Sequence, residues 1–168
     1  NLKINGDDKY YHFQKQLDAY LERSKARVVL NNIDGAHSDL DQILMKNPEY
    51  WIAYYYKGKI YTSLLDYSSA LPYLEIAVEK DVSFDDLLLL RGIARFEENV
   101  KDLGLEDFEK LLKSNTLSQS DRFKALFYYS KILFISGDLE NSLDAAIDAY
   151  EIDDENIGLL EHKGNIYR

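Results

Sequence analysis

Residues 51–84, WIAYYYKGKIYTSLLDYSSALPYLEIAVEKDVSF, decide the fold. Two helical patterns stand there back to back, with a short turn near Leu65–Asp66. Gly58, Ala70 and Ala77 fall where two helices would touch, and Tyr54, Tyr61, Tyr67 and Leu74 flank those places. The unit recurs along the chain. Ser24, Gly58, Gly92, Ser130 and Gly164 stand 34, 34, 38 and 34 residues apart. Ala36, Ala70, Gly104 and Ser142 repeat the first three steps, and Tyr20, Tyr54, Leu88, Leu126 and Leu160 repeat all four. Three columns thus share one four-residue insertion, which falls within SNTLSQSD at 114–121, the longest linker by sequence.

Composition agrees with a folded helical array. The chain of 168 residues is 46% hydrophobic and 30% charged, which is not a disordered composition. It is long enough for one core or a short solenoid and too short for two ordinary domains. Two prolines, eight glycines and little strand-like alternation point to an all-α fold. A formal charge of −10 repels phosphate backbones and anionic lipid, so neither nucleic acid nor membrane insertion is expected. No apolar run approaches the roughly 20 residues that span a bilayer. Without cysteine there is no disulfide framework or thiolate chemistry, and nothing places the chain in a compartment.

In chain order, residues 1–7 predict an irregular lead-in. Gly6 and Asp7 or Asp8 offer a cap to a helix from about Lys9 to Leu30. Asn31–Asn32 and Gly35 break it, and a second helix over 36–46 ends at Asn47–Pro48. Helices over 51–64 and 67–80 follow, with a kink expected at Pro72, whose missing amide would bond the Ser68 carbonyl. Ser83 is a cap for a helix from Asp85 to about Glu98, partnered by one from Gly104 to Lys113. Ser120 or Asp121 caps the next, which pairs across Gly137–Asp138. A last helix over 157–168 has no partner behind it.

A 34-residue helix–turn–helix unit with these aromatic and small-residue places resembles the tetratricopeptide repeat. The resemblance covers about 17–168. It implies a right-handed superhelical solenoid of about four and a half repeats, at 17–50, 51–84, 85–118 and 123–156, with residues 1–16 as a lead-in and helix extension. Tyr54, Gly58, Tyr61, Tyr67, Ala70 and Ala77 match well in the second repeat, and Ala36 and Pro48 in the first. The third repeat departs with Arg95 where Tyr is usual and Gly104 for Ala, and the fourth with Ser130 for Gly and Ala146 for Phe. Of the fourteen tyrosines, Tyr20, Tyr54, Tyr61, Tyr67 and Tyr167 occupy packing columns, so they are expected in the core rather than in a binding cage.

In this family the first helices of successive repeats line a concave groove, which implies a protein or peptide partner. Helical spacing turns three rows toward it. Leu21, Tyr55, Leu89 and Phe127 form one, and Val28, Thr62, Phe96 and Phe134 another. Between them run Lys25, Lys59, Ile93 and Lys131. An apolar groove with a lysine row, in a chain this acidic, predicts a peptide with apolar anchors and a carboxylate. Family members that clamp chaperone tails carry Lys, Asn and Arg where this chain has Leu21, Lys25, Tyr56, Asp86 and Leu90, so that sub-class is not expected. The alternative is a structural scaffold or oligomerisation unit, packing through repeat ends and convex face. Ile157, Leu160, Gly164 and Tyr167 on the last helix favour self-association there.

Catalytic, cofactor and metal chemistry are not expected. His12, His37 and His162 lack ligand spacing. His37, Ser38 and Asp39 are consecutive, point apart on a helix and cannot form a triad. DDENIG at 153–158 lacks the ligand spacing of a calcium loop.

Overall fold

The computed structural model describes residues 6–168, so residues 1–5 of the lead-in expected over 1–7 lie outside the described residues. Nine helices, and no strand, run through them: α1 (Gly6–Val29), α2 (Ile33–Lys46), α3 (Trp51–Ser63), α4 (Tyr67–Glu79), α5 (Leu87–Glu97), α6 (Lys101–Leu112), α7 (Gln119–Ser136), α8 (Leu139–Ile152) and α9 (Ile157–Ile166). Consecutive helices pair as hairpins, α1 with α2 through α7 with α8. The hairpins stack in one sense as a right-handed superhelical solenoid, with α9 laid against α7 and α8.

Most boundaries follow from side-chain caps. Asn32, Asp66, Asp138 and Asn156 each accept a hydrogen bond from a backbone N–H three residues on, satisfying a donor that a helix start leaves free. Several expectations need correction. Helix α1 starts at Gly6 rather than Lys9, and α2 starts at Ile33, so Gly35 lies inside its first turn. Pro72 lies inside α4, which continues past it to Glu79; this continuity is compatible with the expected kink. Helices α5 and α6 span Leu87–Glu97 and Lys101–Leu112, displaced by two or three residues from their expected starts. Ser118, not Ser120 or Asp121, caps α7. The four inserted residues are therefore an added helical turn at the start of α7, which spans 18 residues where α3 has 13.

The small-residue columns face one another. A methyl on Gly58 would come within 2.6 Å of Leu74, and one on Gly92 within 2.8 Å of Phe108. Ser24 Oγ donates to the Ala36 carbonyl at 3.1 Å, and Ser130 Oγ to that of Ser142 at 2.7 Å. Small residues at these crossings let paired helices approach closely. The last member of the column differs: nothing lies within 4 Å of a methyl on Gly164, and Tyr167 is exposed rather than packed.

Each hairpin turn also closes alike. Asn31, Leu65, Asn99 and Gly137 take the same left-handed conformation, with φ of 57°, 59°, 62° and 85°. Apolar cores fill each hairpin and its junction with the next. Trp51, the single tryptophan, opens α3 beside Tyr54, with Lys80 Nζ 5.3 Å above its ring.

A clamp of two arginines on one aspartate recurs in alternate repeats. Arg23 and Arg27 both grip Asp39, and two periods later Arg91 and Arg95 grip a fully buried Asp107. Arg91 Nε and Arg95 Nη1 each lie 2.9 Å from Asp107 Oδ2. Hydrogen bonding from Arg23 holds the Asp39 carboxyl below the ordinary aspartate value. The same three places carry Lys57, Tyr61 and Tyr73 in the second repeat and Tyr129, Leu133 and Ala145 in the fourth. In the second repeat Tyr61 stacks on Tyr73 at 5.7 Å, and the buried Lys57 pairs with Asp41 instead.

Candidate functional site

Helices α1, α3, α5 and α7 form the inner face where the partner-facing rows were expected. Five of the residues assigned to those rows are buried instead. Tyr55 and Leu89 are each 2% exposed, Leu21 and Ile93 are also buried, and Thr62 is buried with its hydroxyl donating to the Gly58 carbonyl. The ring of Tyr55 stacks on Phe84 at 3.9 Å, and its hydroxyl donates to Asp86 Oδ1 at 2.6 Å. Burial first, and Asp86 second, hold its phenol above the ordinary value. Helical spacing marks the side of a helix that its own partner leaves free. The next repeat's first helix and the inter-repeat turn then cover part of that side.

The lysines are also engaged. Lys59 Nζ donates to Asp86 Oδ2 at 2.6 Å and to the Tyr55 hydroxyl at 2.9 Å. Asp86 therefore ties two repeats together rather than capping α5 with its side chain, and α5 has no side-chain cap. Lys25 Nζ pairs with Glu22 at 2.8 Å. Lys131 has no carboxylate partner among the described residues and lies over three rings instead, 5.3 Å from Phe96, 4.9 Å from Phe127 and 5.4 Å from Tyr128. Burial, then Glu97 and Tyr67, push the Tyr128 hydroxyl up to about 12.

One depression on the inner face is open. Lys25 and Lys59 flank this depression of about 240 Å³, walled by Val28, Tyr56 and Ile60. Beyond it, α5 and α7 bring Phe96, Phe127 and Lys131 into one cluster, which Phe134 joins through the ring of His162 at 5.6 Å. Tyr56 and Tyr128 stand outside the three rows, although Tyr56 occupies a place that chaperone-tail clamps use for their ligand. An aromatic next to each row residue was the available signal.

His162 fixes α9 to α7. Its Nε2 is 2.8 Å from Ser130 Oγ, and its ring meets the edges of Phe127 and Phe134. Burial, and then the Lys131 ammonium, hold its pKa below the ordinary 6.5. The folded chain thus prefers the neutral ring, so this stability is complete above about 6.5 and is lost as pH falls through the lowered folded value. The protection of the α9 amides against hydrogen exchange, relative to their intrinsic rates at each pH, is expected to fall between pH 7 and 5, and His162→Gln is expected to flatten that dependence. An unchanged profile in the variant would remove His162 as its cause.

Stacked helix hairpins with an open inner face define a helical-repeat solenoid of the class that mediates protein–protein interaction. The chain belongs to the tetratricopeptide repeat family, whose sequence model matches residues 21–81 and 89–157. DnaJ homolog subfamily C member 3 of Bos taurus is 26% identical over 138 residues, 82% of this chain and 26% of that protein. The Mus musculus protein of the same name is 26% identical over 106 residues, 63% of this chain and 21% of its own length. The chain thus spans about a quarter of the length of these curated relatives. Its fold matches the crystal structure of MamA with a TM-score of 0.78 at 17% identity, over 92% of this chain and 82% of that one. It also matches YrrB, described as a TPR protein with an unusual peptide-binding site, with a TM-score of 0.76 at 20% identity, over 92% and 81%. The family match carries no catalytic assignment. Among the described residues no helix is long and apolar enough to cross a membrane.

Proposed function

We propose that this module holds a peptide segment of a partner protein in its concave groove, by an apolar anchor next to a carboxylate. The supporting observation is the depression between α1 and α3, where Val28, Tyr56 and Ile60 form the walls and the ammonium groups of Lys25 and Lys59 stand at the rim. An apolar side chain would fill it, and a neighbouring Asp, Glu or chain-terminal carboxylate would compete with Glu22 and Asp86 for the lysines. The rings of Phe96 and Phe127 around Lys131 offer a second station on the same face. Of the residues first assigned to the groove, this reading retains Lys25, Lys59, Phe96, Phe127, Lys131 and Phe134. It assigns Leu21, Tyr55, Leu89 and Ile93 to support.

The test is a fluorescent peptide library with Leu or Phe followed by Asp or Glu. Lys25→Glu with Lys59→Glu is expected to weaken the best binder about tenfold or more. Unchanged affinity would remove the depression from the mechanism. The exposed Ile157 and Leu160 of α9, with Tyr167 just after it, favour a second reading, assembly through this repeat end. Light scattering over a concentration series separates the two, because a strict monomer would count against assembly.

A further inference from the structure

The hairpin turns carry an apolar surface that neither the groove nor the fold uses. Because the hairpins stack in one sense, the turns joining α1 to α2, α3 to α4, α5 to α6 and α7 to α8 lie in a row along one edge. Each exposes large apolar side chains. Val29 and Leu30 are 86% and 77% exposed, Leu65 is 71% and Ile135 52%, with Leu64 and Val100 beside them. Single exposed apolar residues are ordinary, but recurrence at four successive turns makes a stripe.

Leu65 strengthens the inference independently. It occupies the left-handed place that Asn31, Asn99 and Gly137 fill in the other hairpins. There the Cβ of an L-residue crowds the neighbouring carbonyl, which glycine avoids and asparagine tolerates. A leucine is thus held where the backbone disfavours it and where packing gains little. The surroundings are acidic. Glu97, Glu98, Asp102 and Glu140 stand exposed, and Lys101 is the sole basic residue of segments 29–34, 63–67, 97–103 and 135–140.

We infer that this edge docks an amphipathic helix of a partner protein, with an apolar stripe flanked by lysines or arginines. Apolar side chains of the helix meet the turns, and its cations meet the acidic rim. An anionic membrane surface is repelled by the same rim, and a second copy of this edge would set acid against acid.

The probe is an 18-residue fluorescein-labelled peptide of Leu and Lys with its leucines on one helical face, compared with a scrambled peptide of the same composition. Only the amphipathic peptide is expected to bind tightly. Leu65→Asn is expected to weaken it about five- to tenfold while melting about 1–4 °C higher, so a loss of binding is not a loss of folding. Lys25→Glu, in the groove, is expected to leave this affinity unchanged, which keeps the edge separate from the reading above. Equal capture of the scrambled peptide, or equal affinity in Leu65→Asn, would overturn the inference. So would phosphatidylserine vesicle binding or a dimer, by flotation or sedimentation, that Leu65→Asn abolishes.

Discussion

Asp107→Ala is expected to lower stability by about 3–5 kcal/mol, read as a fall in denaturation midpoint. The carboxylate is fully buried and takes hydrogen bonds from both Arg91 and Arg95. Its removal leaves two guanidinium groups in a desolvated place, where Arg95 keeps only the Leu103 carbonyl at 3.2 Å and Glu75 at 3.4 Å among the described residues. The cost comes from those stranded charges rather than from the intrinsic worth of the pair, since well-packed apolar groups often replace a buried ion pair without loss. Transplanting the second repeat's set, Arg91→Lys with Arg95→Tyr and Asp107→Tyr, is therefore expected to recover most of the stability. A loss below about 1 kcal/mol in Asp107→Ala would mean that water reaches the arginines.

Tyr55→Ala is expected to cost about 3–5 kcal/mol, as for other large aromatic residues cut from a core. The side chain fills the junction of the second and third repeats, stacked on Phe84 and edge-on to Tyr56. Tyr55→Phe keeps the stack and deletes only the hydroxyl's bond to Asp86, so about 1–3 kcal/mol is expected. Urea titration of both variants separates ring from hydroxyl. If Tyr55→Ala kept full stability and lost only partner capture, Tyr55 would belong to the binding surface after all.

The repeat was legible because its columns are set by close approach. Gly58 and Gly92 lie against Leu74 and Phe108, and no larger residue fits there without displacement. The helix starts were less legible, because Asn32 and Ser118 cap earlier than the apolar pattern begins. The inserted turn of α7 was legible as an insertion and not as helix, since Ser-rich segments read as loops. The ionic clamps escaped notice because apolar periodicity ignores polar residues. Two arginines four apart, followed twelve residues later by Asp in both the first and third repeats, were the available signal. For the groove, one helix's spacing selected Lys25 and Lys59, which flank the depression, and Lys131, which lies over the rings of Phe96 and Phe127. It could not show the burial of Tyr55, covered by Phe84 and by Asp86 31 positions away, or of Leu89, packed in the core of the third repeat.

Trp51 stands at the first turn of the second repeat, between a tyrosine and a lysine, and no other indole is present. Its emission is therefore a local signal, while helicity sums over the whole stack. In an array whose units depend chiefly on their neighbours, the two need not change together. Damage centred on Asp107 lies one repeat further on, so circular dichroism would register it before the indole does.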